Sequence, residues 1–267
     1  MKIDKVIFTI DDNPHYKGFW SSISKHFNQR LGIKPVLYII GDEFKVDLKS
    51  YDSTNGEIVF IPQLKNIPTI IQALIGKFYF TKYELETTWL IGDLDLYPLQ
   101  HFYFKENLLP IDEDAYVHLF PDAYGKDWRD GIKGLAGYFH VAKGKIFETE
   151  LNFINKTFED VCLEILHSNK FGIKFHSISA NVQNKQASSD FGWFCCEEMY
   201  TGHILKNSNI LLELQPPNNF YHRIDRSTMT YDENKLKEGF YIDFHAPRPY
   251  EDYSNIIEDI ISKMPTK

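Results

Sequence analysis

Between residues 6 and 91 the chain alternates short apolar runs with longer segments whose apolar side chains recur every third or fourth position. Few folds accommodate both patterns in that order. Val6–Ile10, Lys34–Ile40, Glu57–Ile61 and Trp89–Ile91 read as strands, closed by Asp11-Asp12-Asn13-Pro14, Gly41-Asp42, Pro62 and Gly92. Tyr16–Leu31 reads as a helix on Phe19, Trp20, Ile23, Phe27 and Leu31, with Gly32 as its stop. A second helix opens at Asn66-Ile67-Pro68 and carries Ile67, Ile70, Ile71, Leu74, Ile75 and Phe78 on one stripe. Its other side holds Gln72, Lys77 and Lys82, where a solvated face is expected for the lysines. Such alternation implies a parallel-type α/β sheet, whose ligands bind beyond the carboxyl ends of strands.

Downstream, Ala115–Phe120 and Tyr138–Ala142 read as strands, Phe147–Leu166 as an amphipathic helix, and Phe191–Leu205 as a further helix carrying Glu197 and Glu198. A glycine- and charge-rich loop, 122–137, lies between the two strands, and glycine there permits close backbone approach to a ligand. The segment 169–189 is polar and irregular. The tail contains Tyr241-Ile242-Asp243-Phe244-His245-Ala246-Pro247-Arg248-Pro249 and a last helix around Ile256–Met264. A length of 267 residues suits one α/β domain with a C-terminal elaboration.

A formal charge of −8 without a basic patch argues against a nucleic-acid partner. Three cysteines, two of them adjacent at Cys195 and Cys196, make neither a disulfide framework nor a zinc spacing, which fits a reducing compartment. The first residues are too acidic and their apolar run too short for a signal peptide or a membrane span. A cytoplasmic protein is therefore expected, with peripheral membrane contact left open.

The residues with most chemical content follow the Trp89 run: Gly92-Asp93-Leu94-Asp95. Carboxylates two positions apart on an extended chain project to the same side, roughly 6.5 to 7 Å apart at their Cα atoms. If the chain bends after Asp93 they can share a hard divalent cation with phosphate oxygens. A solvated strand-end turn would use the same residues.

The order of parts resembles the GT-A glycosyltransferases: a D-x-D at Asp93-Leu94-Asp95, a glycine loop at Gly134-Leu135-Ala136-Gly137, an acidic element at Cys196-Glu197-Glu198 and a late His245. The resemblance implies an α/β fold of GT-A type, a Rossmann-like nucleotide-diphospho-sugar transferase with a mixed central sheet flanked by helices. It implies one catalytic domain over 1–250, with a nucleotide-sugar half at 1–100 and an acceptor half at 101–250, then a C-terminal helix or tail at 251–267. The expected activity moves a sugar from a nucleotide-diphosphate sugar, with a UDP-sugar as the expected donor, to a hydroxyl of a glycan or other acceptor.

By the same resemblance Asp93, Asp95 and His245 would hold Mn²⁺ or Mg²⁺, and Thr9, Asp11, Asp12, Lys77 and Asp93 would face the donor. Asp127, Trp128, Arg129 and Gly137 would meet the acceptor. Glu198, Glu197 and Asp190 are alternatives for the catalytic acid or base, because the usual aspartate of that element is here a glutamate. Two other readings stay open. One is a haloacid-dehalogenase-like phosphatase, although its aspartate pair follows the first strand. The other is a carbohydrate-binding protein of the same fold without turnover.

Overall fold

A computed structural model of the protein describes residues 1–11, 13–119, 136–167, 211–214 and 222–265. The chain opens with β1 (Lys5–Asp11), the short helix α1 (Pro14–Lys17) and α2 (Phe19–Lys25), which passes into a π-helical turn at His26–Leu31. β2 (Lys34–Gly41) and β3 (Glu57–Pro62) follow, then α3 (Thr69–Tyr79) and β4 (Thr88–Ile91). Next come β5 (Leu96–Pro98), α4 (His101–Phe104), β6 (Tyr116–Leu119), β7 (His140–Lys143), α5 (Gly144–Glu150) and α6 (Phe158–His167). β8 (Leu211–Leu214), β9 (Arg223–Asp225), α7 (Glu233–Lys237), β10 (Asp243–His245) and α8 (Tyr250–Ser262) complete the described elements.

Among the described residues the central sheet has seven strands in the order β3-β2-β1-β4-β7-β6-β8. β3, β2, β1 and β4 are parallel, and β7 runs antiparallel to both β4 and β6, so the sheet is mixed. The first four positions repeat the order of a Rossmann-like sheet, with the reversal falling between β1 and β4. β2 is buried from Pro35 to Gly41, as a parallel strand covered on both faces must be. Alternation along β1 sends Val6, Phe8 and Ile10 to one core and Ile7 to the other, and β4 likewise divides Leu90 from Trp89 and Ile91. α2 and α8 cover the first face, with Trp20 against Phe8 at 6.2 Å between ring centroids. α3, α5 and α6 cover the second through Ile75, Phe78, Phe147 and Val161.

A second sheet, β5-β10-β9, is built from strands of three residues each. β10 pairs antiparallel with β5 and parallel with β9, which sets His245 opposite both Leu96 and Asp225. Tyr97 and Phe244, both fully buried, anchor this small sheet to the core below. No helix among the described residues is long and apolar enough to cross a membrane.

Several boundaries differ from the sequence expectation for physical reasons. The stretch expected as one helix over 16–31 is broken into α1, α2 and the π turn, which ends as foreseen at Gly32 with φ of 64°. The expected helix over 147–166 is two helices, separated where Asn152 and Asn155 take positive φ. Gln72 is fully buried, because its side chain satisfies Leu64 N–H and donates to the Leu64 and Ile67 carbonyls. Lys77 does not sit on a solvated face either and is only 4% exposed.

Candidate functional site

Reversal of strand order leaves a crevice beyond the carboxyl ends of β1 and β4, since the connections leave in opposite directions there. In this protein the crevice is a cavity of about 590 Å³. β1 contributes Thr9 and Asp11, α3 contributes Ile70, Ala73, Leu74 and Lys77, and the turn after β4 contributes Asp93 to Leu96. The small sheet, with the residues that follow β9 and β10, closes the other side with Arg223, Asp225, Arg226, His245 and Arg248.

The turn is held from three directions. Gly92 N–H donates to the Ile7 carbonyl at 3.0 Å, extending the β1–β4 ladder by one residue. A Cβ at position 92 would stand 2.5 Å from the Phe8 ring, so only glycine lets the chain pass this close. Leu96 N–H then donates to the Asp93 carbonyl at 3.1 Å, and Ala246 N–H to the Asp95 carbonyl at 2.8 Å. That last bond ties the Asp95 backbone to the segment after β10.

The two carboxylates have different surroundings. Asp93 Oδ1 accepts from Lys77 Nζ at 2.6 Å, and its Oδ2 has no partner among the described residues. Asp95 is nearly buried, and its Oδ2 lies 3.1 Å from Arg226 Nη1, 3.4 Å from Arg248 Nε and 3.4 Å from His245 Nε2. Burial pushes the Asp95 carboxyl upward, but the hydrogen bond and charge of His245 and the charge of Arg226 outweigh it. The carboxyl is thereby held below its ordinary range. His245 turns its Nδ1 toward Asp225 Oδ2 at 3.3 Å. Asp225 is raised by partial burial and lowered more strongly by the Ser227 hydroxyl and N–H and by His245, so it too stays ionised.

Asp95 and His245, 150 residues apart in sequence, therefore meet in one charged cluster, and Asp93 and Lys77 line the same cavity. Thr9 and Asp11 also line it, but both are engaged: the Thr9 hydroxyl donates to the Ala73 carbonyl, and Asp11 Oδ2 accepts from Thr69 Oγ1 at 2.9 Å. Gly137 is not part of the lining, whereas its neighbour Tyr138 is. Asp12, Asp127, Trp128, Arg129, Asp190, Glu197 and Glu198 lie outside the described residues, as do Gly134 and Leu135 of the glycine loop and Cys196 of the acidic element.

Sequence reasoning missed Arg223, Asp225, Arg226, Tyr16 and Tyr138. Arg248 stands in the sequence three residues after His245 with no signal of its own. A signal for the first three exists in hindsight: Arg223-Ile224-Asp225-Arg226 places charge on both sides of one buried isoleucine. That is the pattern of a short strand with one polar face.

Two carboxylates and an imidazole are a donor set of the kind Mn²⁺ or Mg²⁺ takes when phosphate supplies further oxygens. The unpartnered Asp93 Oδ2 fits that use. Among the described residues, however, no three His, Cys, Asp or Glu side chains stand close enough to grip an ion by themselves. Cations of the protein occupy one oxygen of each aspartate instead. The residue types suit a divalent ion, but among the described residues their packing assembles no complete site for one. No protein-family model matches the chain, and no curated protein does either.

Proposed function

We propose that the protein is a glycosyltransferase of GT-A type, transferring a sugar from a nucleoside-diphosphate sugar, preferably UDP-linked, to a hydroxyl acceptor. The observation that carries this reading is the gathering of Asp93, Asp95, His245 and Lys77 in one cavity at the reversal of strand order. A position after the fourth strand suits a nucleotide site better than the nucleophile of a phosphatase, which follows the first strand.

The division of the cavity wall supports the same reading. Ile10, Ile70, Ala73 and Leu74 line the cavity with apolar surface on which a base and ribose can exclude water, together with the charges of the turn and of the small-sheet region. Asp93, Asp95 and His245 would hold the divalent ion, whose charge stabilises the departing nucleoside diphosphate. Lys77 fixes the Asp93 carboxylate through its 2.6 Å bond, so that side chain is oriented before any ligand arrives. Glu198, Glu197 and Asp190 are the carboxylates proposed to take the acceptor proton.

A panel of nucleoside-diphosphate sugars, incubated with the protein and Mn²⁺, tests this reading by release of nucleoside diphosphate. One donor should be consumed in preference to the others, slowly to water and faster with acceptor, and Glu198→Gln should bind that donor but transfer poorly. Absence of both binding and release across the panel would remove the proposal.

A further inference from the structure

The cavity contains arginines of two kinds. Arg223 has a saturated fork: its Nε and Nη2 donate to the two oxygens of Asp243 at 2.9 and 2.6 Å, and Nη2 also reaches the Tyr138 hydroxyl at 2.9 Å. Asp243 is fully buried, so this is a closed unit that braces β9 against β10. Arg226 and Arg248 are different. Both are directed at one oxygen of one carboxylate, at 3.1 and 3.4 Å, longer than the roughly 2.7 to 2.9 Å of a strong charge-assisted bond. Neither makes a bidentate contact. A single negative charge thus faces two guanidiniums, and His245 approaches the same oxygen.

Exposure points the same way. The Asp95 side chain is 7% exposed, while Arg226 and Arg248 are 33% and 28% exposed and line the cavity above it. Beyond the Asp95 contacts, Arg248 donates among the described residues only to the Tyr16 hydroxyl and lies over that ring at 4.9 Å from its centroid. A guanidinium has five N–H donors, so most of this pair's donors have no partner among the described residues. Their planar forks match phosphate oxygens. Lys77 is no substitute, being buried and already bound to Asp93.

We propose that Arg226 and Arg248 are the diphosphate ligands of this site, and that they exchange Asp95 for phosphate oxygens when a nucleoside diphosphate enters. This rests on the nucleotide-site reading above. The exchange replaces one shared carboxylate oxygen by several phosphate oxygens. It also frees Asp95, beside His245, for the divalent ion.

The test is calorimetric titration of UDP, UMP and inorganic pyrophosphate into wild type, Arg226→Gln and Arg248→Gln, with Mn²⁺ and again with EDTA. Arg226→Lys serves as a variant that keeps the charge without the fork. Wild type should prefer UDP to UMP. Each glutamine variant should weaken UDP and pyrophosphate by about 10- to 100-fold and UMP by less than about threefold, from the size of charge-assisted hydrogen bonds. Arg226→Lys should fall between. UDP binding unchanged by all three substitutions, or UDP and UMP weakened equally, overturns the arginine proposal while the nucleotide reading stands. No binding of UDP or any nucleoside diphosphate to wild type removes the reading itself.

Discussion

The seven-stranded sheet and the three-stranded one face each other across a single cavity, yet different forces build them. The large sheet is held by two apolar layers and continuous backbone ladders, and it contributes few charges to the cavity, chiefly Asp11 at the end of β1. The small sheet has strands of three residues and is held as much by the Arg223–Asp243 unit and the β10–Asp95 tie as by Tyr97 and Phe244. It supplies Asp225, Arg226, His245 and Arg248. A rigid scaffold thus fixes where the crevice lies, and a polar add-on determines what the crevice can hold. Substitutions can separate the two roles.

The largest effect is expected at Asp243, where replacement by alanine takes the carboxylate away from Arg223, only 12% exposed. Breaking a buried pair from one side costs about 3 to 5 kcal/mol, measurable by denaturant unfolding. The pair Arg223→Met with Asp243→Leu should recover much of that loss, and failure to recover would mean the small sheet depends on the charges for more than their mutual compensation.

Next is a pH effect at the seam between the two sheets. His26, in the π turn after α2, bonds through Nε2 to the Pro98 carbonyl of β5 at 2.7 Å. Burial pulls its pKa down to about 4, against the partial opposition of that hydrogen bond. Below an unfolded value of about 6.5 the unfolded chain takes up a proton that the folded protein refuses, so stability falls as pH drops from 6.5 towards 4 and levels off below. The loss approaches about 3 kcal/mol at its limit, from 1.36 kcal/mol per unit. His26→Gln should flatten this slope in urea titrations at several pH values. An unchanged slope would place the titrating group elsewhere.

Gly92→Ala comes third. Its Cβ would press on Phe8, and overpacking of this kind costs about 1 to 3 kcal/mol. Because the strain falls on the turn carrying Asp93 and Asp95, nucleotide binding should weaken as well, which calorimetry would detect. Smallest is Arg226→Gln, with a stability change within about 0.5 kcal/mol because the side chain is a third exposed and weakly held. A large loss there would make Arg226 a structural residue like Arg223 and erase the contrast between them.

What the sequence makes legible follows the same divide. β1, β2, β4 and α3 announce themselves because a buried parallel strand must be an apolar run and a covering helix must repeat at 3.6 residues. The place of Asp93 and Asp95 at the end of an apolar run was legible in the same way, whereas His245 was singled out only through the resemblance, its strand being three residues long. The small sheet was not, because three residues are too few for any periodicity, and its strands exist through pairing with partners distant in sequence. Burial of Lys77 was equally hidden. A lysine on a polar helix face reads as solvated until its partner, Asp93 on the neighbouring turn, is brought to 2.6 Å.

In the proposed site Asp95 is the point where cation, histidine and diphosphate would come together. Titrating UDP into wild type and Asp95→Asn, each with Mn²⁺ and with EDTA, isolates the gain in affinity due to the ion. Wild type should gain on the order of 10- to 100-fold from Mn²⁺, and Asp95→Asn should gain nothing, whatever its affinity in EDTA. An equal gain from Mn²⁺ in both proteins would contradict the account.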